Sequence, residues 1–217
     1  MRHVVHDGGT LIYEAIFGPG NSLIINSDDG GSQERIIRTD LDGGHRRLVL
    51  DEGYDNSLFG DPESALSNDV GTMVLAADGR SILALCTCLD PATQRETDGL
   101  VRITFRTHAV SFVMRFPNPR RSFDGMVGTS RGVLAIRIHD GRGERMLLVD
   151  EDGTRRTAPG YVPGGLNLDA MTPDGRYVVL SDTPGPDSTG SLYEFDTVTG
   201  HTRLLARGPR SAVIVQP

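Results

Sequence analysis

Lysine is absent from this chain: all 22 basic residues are arginine. A phosphate-binding loop of the Walker type needs its lysine, so that chemistry is excluded. The arginine bias itself is read as coding composition. No run approaches the ~18 apolar residues of a membrane span, and no polybasic segment suggests an anionic bilayer. The formal net charge of −7 lacks the electrostatic footprint of a duplex nucleic-acid binder. The opening residues, Met1–Gly9, contain no apolar core of a secretory signal, so a cytoplasmic location is expected. Cysteine is scarce too. Cys86 and Cys88 sit two apart, on one face of a strand, and are expected to be poor disulfide partners. They read as small buried hydrophobes, since no second pair completes a metal site. Free thiols agree with a reducing compartment.

Glycine is plentiful by contrast, with 27 glycines and 12 prolines among 217 residues. Turn punctuation of that density with short apolar runs favours an all-β fold. The clearest stretch is Met171–Ala206. A Pro-Asp-Gly turn leads into the β-branched run Tyr177–Ser181, a loop follows, Ser191–Thr197 alternates, Thr199-Gly200 turns, and Thr202–Ala206 runs back. Three related frames precede it. Gly20–Asp28, Gly79–Asp90 and Gly132–Asp140 match Gly175–Asp182, each opening on glycine and ending on aspartate. An alternating strand and a final strand follow each frame. The spacing is uneven, which suits blades with loops of different length better than a strict solenoid.

The expected fold is therefore an all-β propeller of about four antiparallel four-stranded blades, roughly 10–50, 70–116, 126–158 and 168–206, in one domain. Arg2–Val5 and Ala212–Val215 are β-prone and belong to no blade, which leaves a partial fifth sheet open to the two termini. With strands lettered A to D in each blade, the A–B and C–D turns share one end and are short. The other end carries the longer segments Asp51–Asp69, Asp90–Gly99, Pro117–Asp124, Ala158–Asp169 and Thr183–Gly190. Long loops on a rigid scaffold are where binding usually resides.

Pro173–Asp182, continued by Ser191–Gly200, resembles the WD40-like Pro-Asp repeat of TolB-type β-propellers. Ser27–Asp29 with Glu34–Leu48 is similar to the latter half of the same repeat. The likeness is clear in two of the four repeats. It implies a propeller that binds proteins, peptides or sugars on one face or in a central channel, and some relatives are lyases or carry a hydrolase domain. This chain is expected to carry fewer repeats than the family usually does and to leave no room for a separate catalytic domain.

Candidate ligand contacts follow from the long-loop end. Asp28, Asp90, Asp140 and Asp182 end the four B strands, where carboxylates could hold a cation or a basic peptide. Aspartate also begins turns by bonding its own backbone, which is the simpler account of it there. His139 adjoins Asp140 at the same end and is the one histidine placed to act as a general base there. Tyr54, Arg121 and Tyr161 lie in the D-to-A connections and have the chemistry of a contact surface. The histidines His45, His108 and His201 fall near C–D turns. Gly128–Gly132 matches the nucleophile-elbow pattern but lacks the strand–turn–helix setting, so Ser130 reads as turn punctuation. No cofactor and no metal are expected.

The leading expectation is a non-catalytic recognition module for a peptide, protein or small polar ligand. The alternative is a lyase, cyclase or glycan-active enzyme using the same end. Self-association is expected if the propeller is incomplete.

Overall fold

A computed structural model describes residues 11–28, 34–51, 69–90, 95–116, 123–182 and 190–208. Among them are sixteen strands and no helix. The strands form four antiparallel four-stranded sheets, each in simple sequence order. The first holds β1 (Leu11–Gly18), β2 (Ser22–Asp28), β3 (Glu34–Asp40) and β4 (Arg47–Asp51). The second holds β5 (Asp69–Leu75), β6 (Ser81–Asp90), β7 (Arg95–Thr104) and β8 (Val110–Arg115). The third holds β9 (Phe123–Gly128), β10 (Val133–His139), β11 (Glu144–Asp150) and β12 (Arg155–Thr157). The fourth holds β13 (Leu166–Met171), β14 (Tyr177–Asp182), β15 (Ser191–Asp196) and β16 (Thr202–Arg207). The chain divides into two compact units, Met1–Pro117 and Asn118–Pro217, with two sheets in each.

The sequence explains why the sheets come in layers. The second strand of each sheet is mostly apolar and is covered on both faces. In β10, Leu134, Ala135, Ile136, Arg137 and Ile138 are all buried. A strand covered on both sides needs a second layer against it, and hydrophobic burial is worth about 1.5–3 kcal/mol for each large aliphatic side chain. In the first unit, Ile24 and Ile36 from the first sheet pack with Met73, Ile82, Ala84 and Ile103 from the second. In the second unit, Ala135, Met146 and Leu148 pack with Leu166, Val178, Leu180 and Phe195. β1 lies against β5, and β9 against β13.

The short turns share one end of each sheet, as expected from the register. The Phe105 N–H donates to Arg80 O at 3.0 Å, joining the A–B and C–D turns of the second sheet. In the fourth sheet the Thr197 hydroxyl and N–H donate to Gly175 O and Arg176 O, at 3.0 and 2.8 Å. Aspartate closes these turns. Asp42, Asp78, Asp152, Asp174 and Asp196 each accept a hydrogen bond from the N–H two residues on, at 3.0, 2.8, 2.8, 3.1 and 2.8 Å. Two of the three C–D histidines take left-handed backbone, His45 at φ 46° and His108 at φ 57°. Ser130 is an exposed turn residue beside buried Thr129, whose hydroxyl accepts from the Arg131 and Val133 N–H groups.

Two expectations need correction. The segment 90–99 is mostly strand. β6 runs to Asp90 and β7 starts at Arg95, and they pair along their whole length down to Asp90 opposite Arg95. The Thr87 hydroxyl donates to Asp98 there at 2.9 Å, so Asp98, which read as loop, is a cross-strand partner. Cys86 is fully buried in the first core, as expected, but it is disulfide-bonded. The chain's two cysteines are therefore not an argument for a reducing compartment. The terminal segments Arg2–Val5 and Ala212–Val215 lie outside the described residues.

Gly200 marks the tightest approach in the second unit. It turns β15 into β16 at φ 74°, and a Cβ there would lie 2.1 Å from Pro159 O. The alanine variant Gly200→Ala is expected to destabilise the chain by about 3 kcal/mol, combining left-handed strain with a backbone clash. Gly43→Ala, at φ 82° with nothing within 4 Å, is expected to cost about 1 kcal/mol by denaturant titration. Equal losses in the two variants would contradict this packing.

Candidate functional site

The third sheet brings three of the expected site residues to one place. β10 ends at His139, whose cross-strand partner is Glu144 at the start of β11. Between them Asp140, Gly141, Arg142 and Gly143 make a short turn, closed by the Asp140 N–H donating to Gly143 O at 3.1 Å. The connection from β12 to β13 folds back over this tip. The Ala158 N–H donates to Met146 O at 2.9 Å, and the Val162 N–H to Glu144 O at 2.8 Å. These bonds hold Tyr161 above the hairpin. Its ring lies on Gly143, where an added Cβ would come within 3.0 Å of Tyr161 Cδ1. The Arg145 guanidinium sits 5.6 Å from the ring centroid and donates from Nη2 to Ala158 O at 3.4 Å. Tyr161 remains 48% exposed, so its packing leaves about half of it for a partner.

Under the tip lies a buried charge. Arg137 on β10 is buried, and its Nε is 3.6 Å from Glu144 Oε2. Holding a guanidinium inside requires such a partner, because an isolated buried charge is very costly. Glu144 therefore faces inward. Asp140 is held by its own turn: it accepts from the Arg142 N–H at 2.9 Å. That bond, with the nearby charges of Arg145 and Arg142, keeps its carboxyl below the usual range. The tip thus presents His139, Arg142 and the Asp140 carboxylate to solvent, with Arg145 partly covered.

The other expected site residues are distributed as follows. Asp182 ends β14 and accepts from the Ser191 N–H, closing the loop of the fourth sheet. Both aspartates whose side chains are described, Asp140 and Asp182, bond local backbone. Asp28 and Asp90 end β2 and β6, and their side chains lie outside the described residues. Tyr54 and Arg121 lie outside them entirely. Asn167, expected in a loop, is in β13. Among the described residues no three His, Cys, Asp or Glu side chains gather as a metal site would.

The arrangement of the strands is what known structures share with this chain. TolB from Acinetobacter baumannii superposes with a TM-score of 0.62 at 14% identity, over 94% of this chain and 45% of that one. A nidogen/laminin complex contains a chain with a TM-score of 0.58 at 13% identity, over 91% and 65%. The β-propeller domain of the Trilobed protease from Pyrococcus furiosus gives 0.51 at 13% identity, over 89% and 56%. The fold is a four-bladed β-propeller. The four sheets are its blades, and the propeller spans less than two thirds of the length of each of these structures. No protein-family model matches the chain, and no curated protein matches it in sequence.

Two titratable residues escaped the sequence reading. Glu14 lies beside an irregularity in β1, and its Oε2 accepts from the Met73 N–H of β5 at 2.6 Å. It ties the first strands of neighbouring blades in the first unit. Burial pushes its carboxyl up from 4.5 to about 7, against the lowering effect of that bond. Asp169 on β13 is also raised by burial, against a bond from Ser181. Neither had a motif to announce it. The glutamate stands in an otherwise apolar strand, Leu11–Gly18, which is the one signal the sequence offered.

The sign of the pH effect follows. Folded Glu14 holds its proton more tightly than the unfolded chain does, so its contribution is complete below 4.5 and is lost as pH rises through about 7. The loss is about 1–2 kcal/mol once solvent screening of a partly exposed group is allowed for. Glu14→Gln is expected to flatten the pH dependence of the unfolding midpoint between pH 4.5 and about 7. Asp152 and Asp174, held low mainly by hydrogen bonds from Thr154 and from Thr172, act oppositely and lose their contribution as pH falls below 3.8. A wild-type midpoint that does not change over the upper window would contradict the assignment.

Proposed function

We propose that this propeller is a recognition module whose contact surface is the tip of the third blade. The observation that carries the reading is Tyr161. It is a half-exposed aromatic held over Gly143 by backbone bonds from its own connection, with exposed His139 and Arg142 on the hairpin beneath. A fixed aromatic beside arginine is the usual core of a protein contact, since it adds area at little entropic cost. The partner is a peptide or a protein, or a small polar ligand presenting similar groups. The nidogen/laminin structure, a complex of proteins, supports a partner of the protein kind.

The alternative enzyme reading needs a base with an acid or a metal beside it. His139 is exposed at a strand end, and its described neighbours Asp140 and Glu144 are engaged by the turn amide and by Arg137. A recognition role therefore has the better support.

Selection of a random displayed-peptide library on the full chain tests this. Tyr161→Ala is expected to weaken the selected peptides by roughly tenfold or more. Phe17→Ser, which removes an exposed aromatic beside an A–B turn, is expected to leave them unchanged. Binding that survives Tyr161→Ala and fails with Phe17→Ser would place recognition elsewhere.

A further inference from the structure

The tip of the third blade has a polarity that the chain as a whole lacks. The chain carries a net −7, yet this hairpin and its base contain three arginines, Arg137, Arg142 and Arg145, against two carboxylates, Asp140 and Glu144. Those carboxylates are engaged. Asp140 accepts from the Arg142 N–H at 2.9 Å, and Glu144 faces Arg137 at 3.6 Å, with a side chain only 21% exposed. The charge turned toward solvent is that of Arg142, exposed, and Arg145, half-buried beneath Tyr161, offset in part by the ionised Asp140 carboxylate, so the balance at the tip stays positive.

Arg145 also has donor capacity in hand. Its Nη2 bond to Ala158 O is long, at 3.4 Å, and its Nε is buried with no hydrogen-bond partner among the described residues. A guanidinium offers five N–H donors, and leaving a buried one unmet costs on the order of 1–3 kcal/mol. A small movement of the Tyr161 ring with an incoming acceptor would remove that cost.

We infer that this tip docks an acidic segment of a protein partner, a carboxylate of the segment meeting Arg142 and Arg145 while an adjacent apolar or aromatic side chain covers the Tyr161 ring. The inference rests on the recognition reading above and adds the chemistry of the partner. Charge complementarity selects the occupant. An acidic segment is repelled by an acidic chain in general and attracted at this tip, which fixes where it lands. A polyanionic nucleic acid meets the same repulsion over its whole length and gains little from a single aromatic ring, so an acidic peptide is the better match.

The test uses the full chain and three labelled twelve-residue peptides followed by fluorescence anisotropy. One repeats Asp-Phe-Asp-Ser, the second replaces Asp by Asn, and the third replaces Asp by Arg. The acidic peptide is expected to bind roughly tenfold tighter than the Asn peptide at low ionic strength, with the difference shrinking as salt is added. Arg142→Glu, an exposed change that leaves the fold alone, is expected to abolish the preference, and Arg145→Gln to reduce it. Equal binding of the acidic and Asn peptides, still sensitive to Tyr161→Ala, would overturn this inference and leave the recognition reading standing. A preference for the Arg peptide, or tighter binding of a single-stranded oligonucleotide, would overturn it as well. Failure of all three peptides to bind would overturn it together with the contact surface assigned to Tyr161.

Discussion

Burial of the second strand on both faces is the constraint from which the other features follow. Ile24, Ile82, Leu134 and Val178 are all essentially inaccessible, and each belongs to a strand flanked by partners within its own sheet. Sheet hydrogen bonds supply only the two edges of such a strand. Its faces must be covered by another layer, so a lone blade of this sequence would expose a row of aliphatic side chains to water. Pairing of blades within each unit is the result. Glu14 adds a polar tie to that layer, and Gly200 permits a backbone approach that any side chain would block.

The turns then divide by task. At one end the aspartates close short connections by bonding backbone amides, and their carboxylates are spent on local structure. At the other end, described in full for the third blade, the hairpin is also short, but the connection to the next blade is laid across it. The contact surface we propose arises from that overlay. Two backbone bonds, from Ala158 and Val162, position an aromatic ring over a glycine, and an internal Arg137–Glu144 pair removes one carboxylate from the surface. A chain that is acidic in composition thereby presents a locally basic, aromatic contact.

Much of the architecture was legible because turns leave marks. The glycine-to-aspartate frames, such as Gly132–Asp140 and Gly175–Asp182, locate the second strands, since a left-handed glycine and a backbone-bonding aspartate have few other uses so close to a β-branched run. The extended hairpin of β6 and β7 was not legible. Residues 95–99 are mostly polar and read as loop, yet Asp98 accepts from the Thr87 hydroxyl across the strands. The Cys86 disulfide was set aside from strand geometry alone, a local rule that the folded chain does not follow. For the site, the aspartates at strand ends stood out from their position, while the Tyr161–Gly143 contact joins two separate segments and has no local signature. The raised carboxyl of Glu14 depends on burial by another blade, which no single strand encodes.

The central claim is that the third-blade tip, with the connection laid over it, is where a partner seats. Backbone hydrogen exchange of the full chain, with and without the Asp-Phe-Asp-Ser peptide at saturation, tests it most directly. The account predicts slower exchange at Arg142, Gly143, Tyr161 and neighbouring amides, with the short turns at Gly43-Gly44 and Thr199-Gly200 unchanged. Protection confined to those short turns, with 139–145 and 158–165 unaffected, would contradict it.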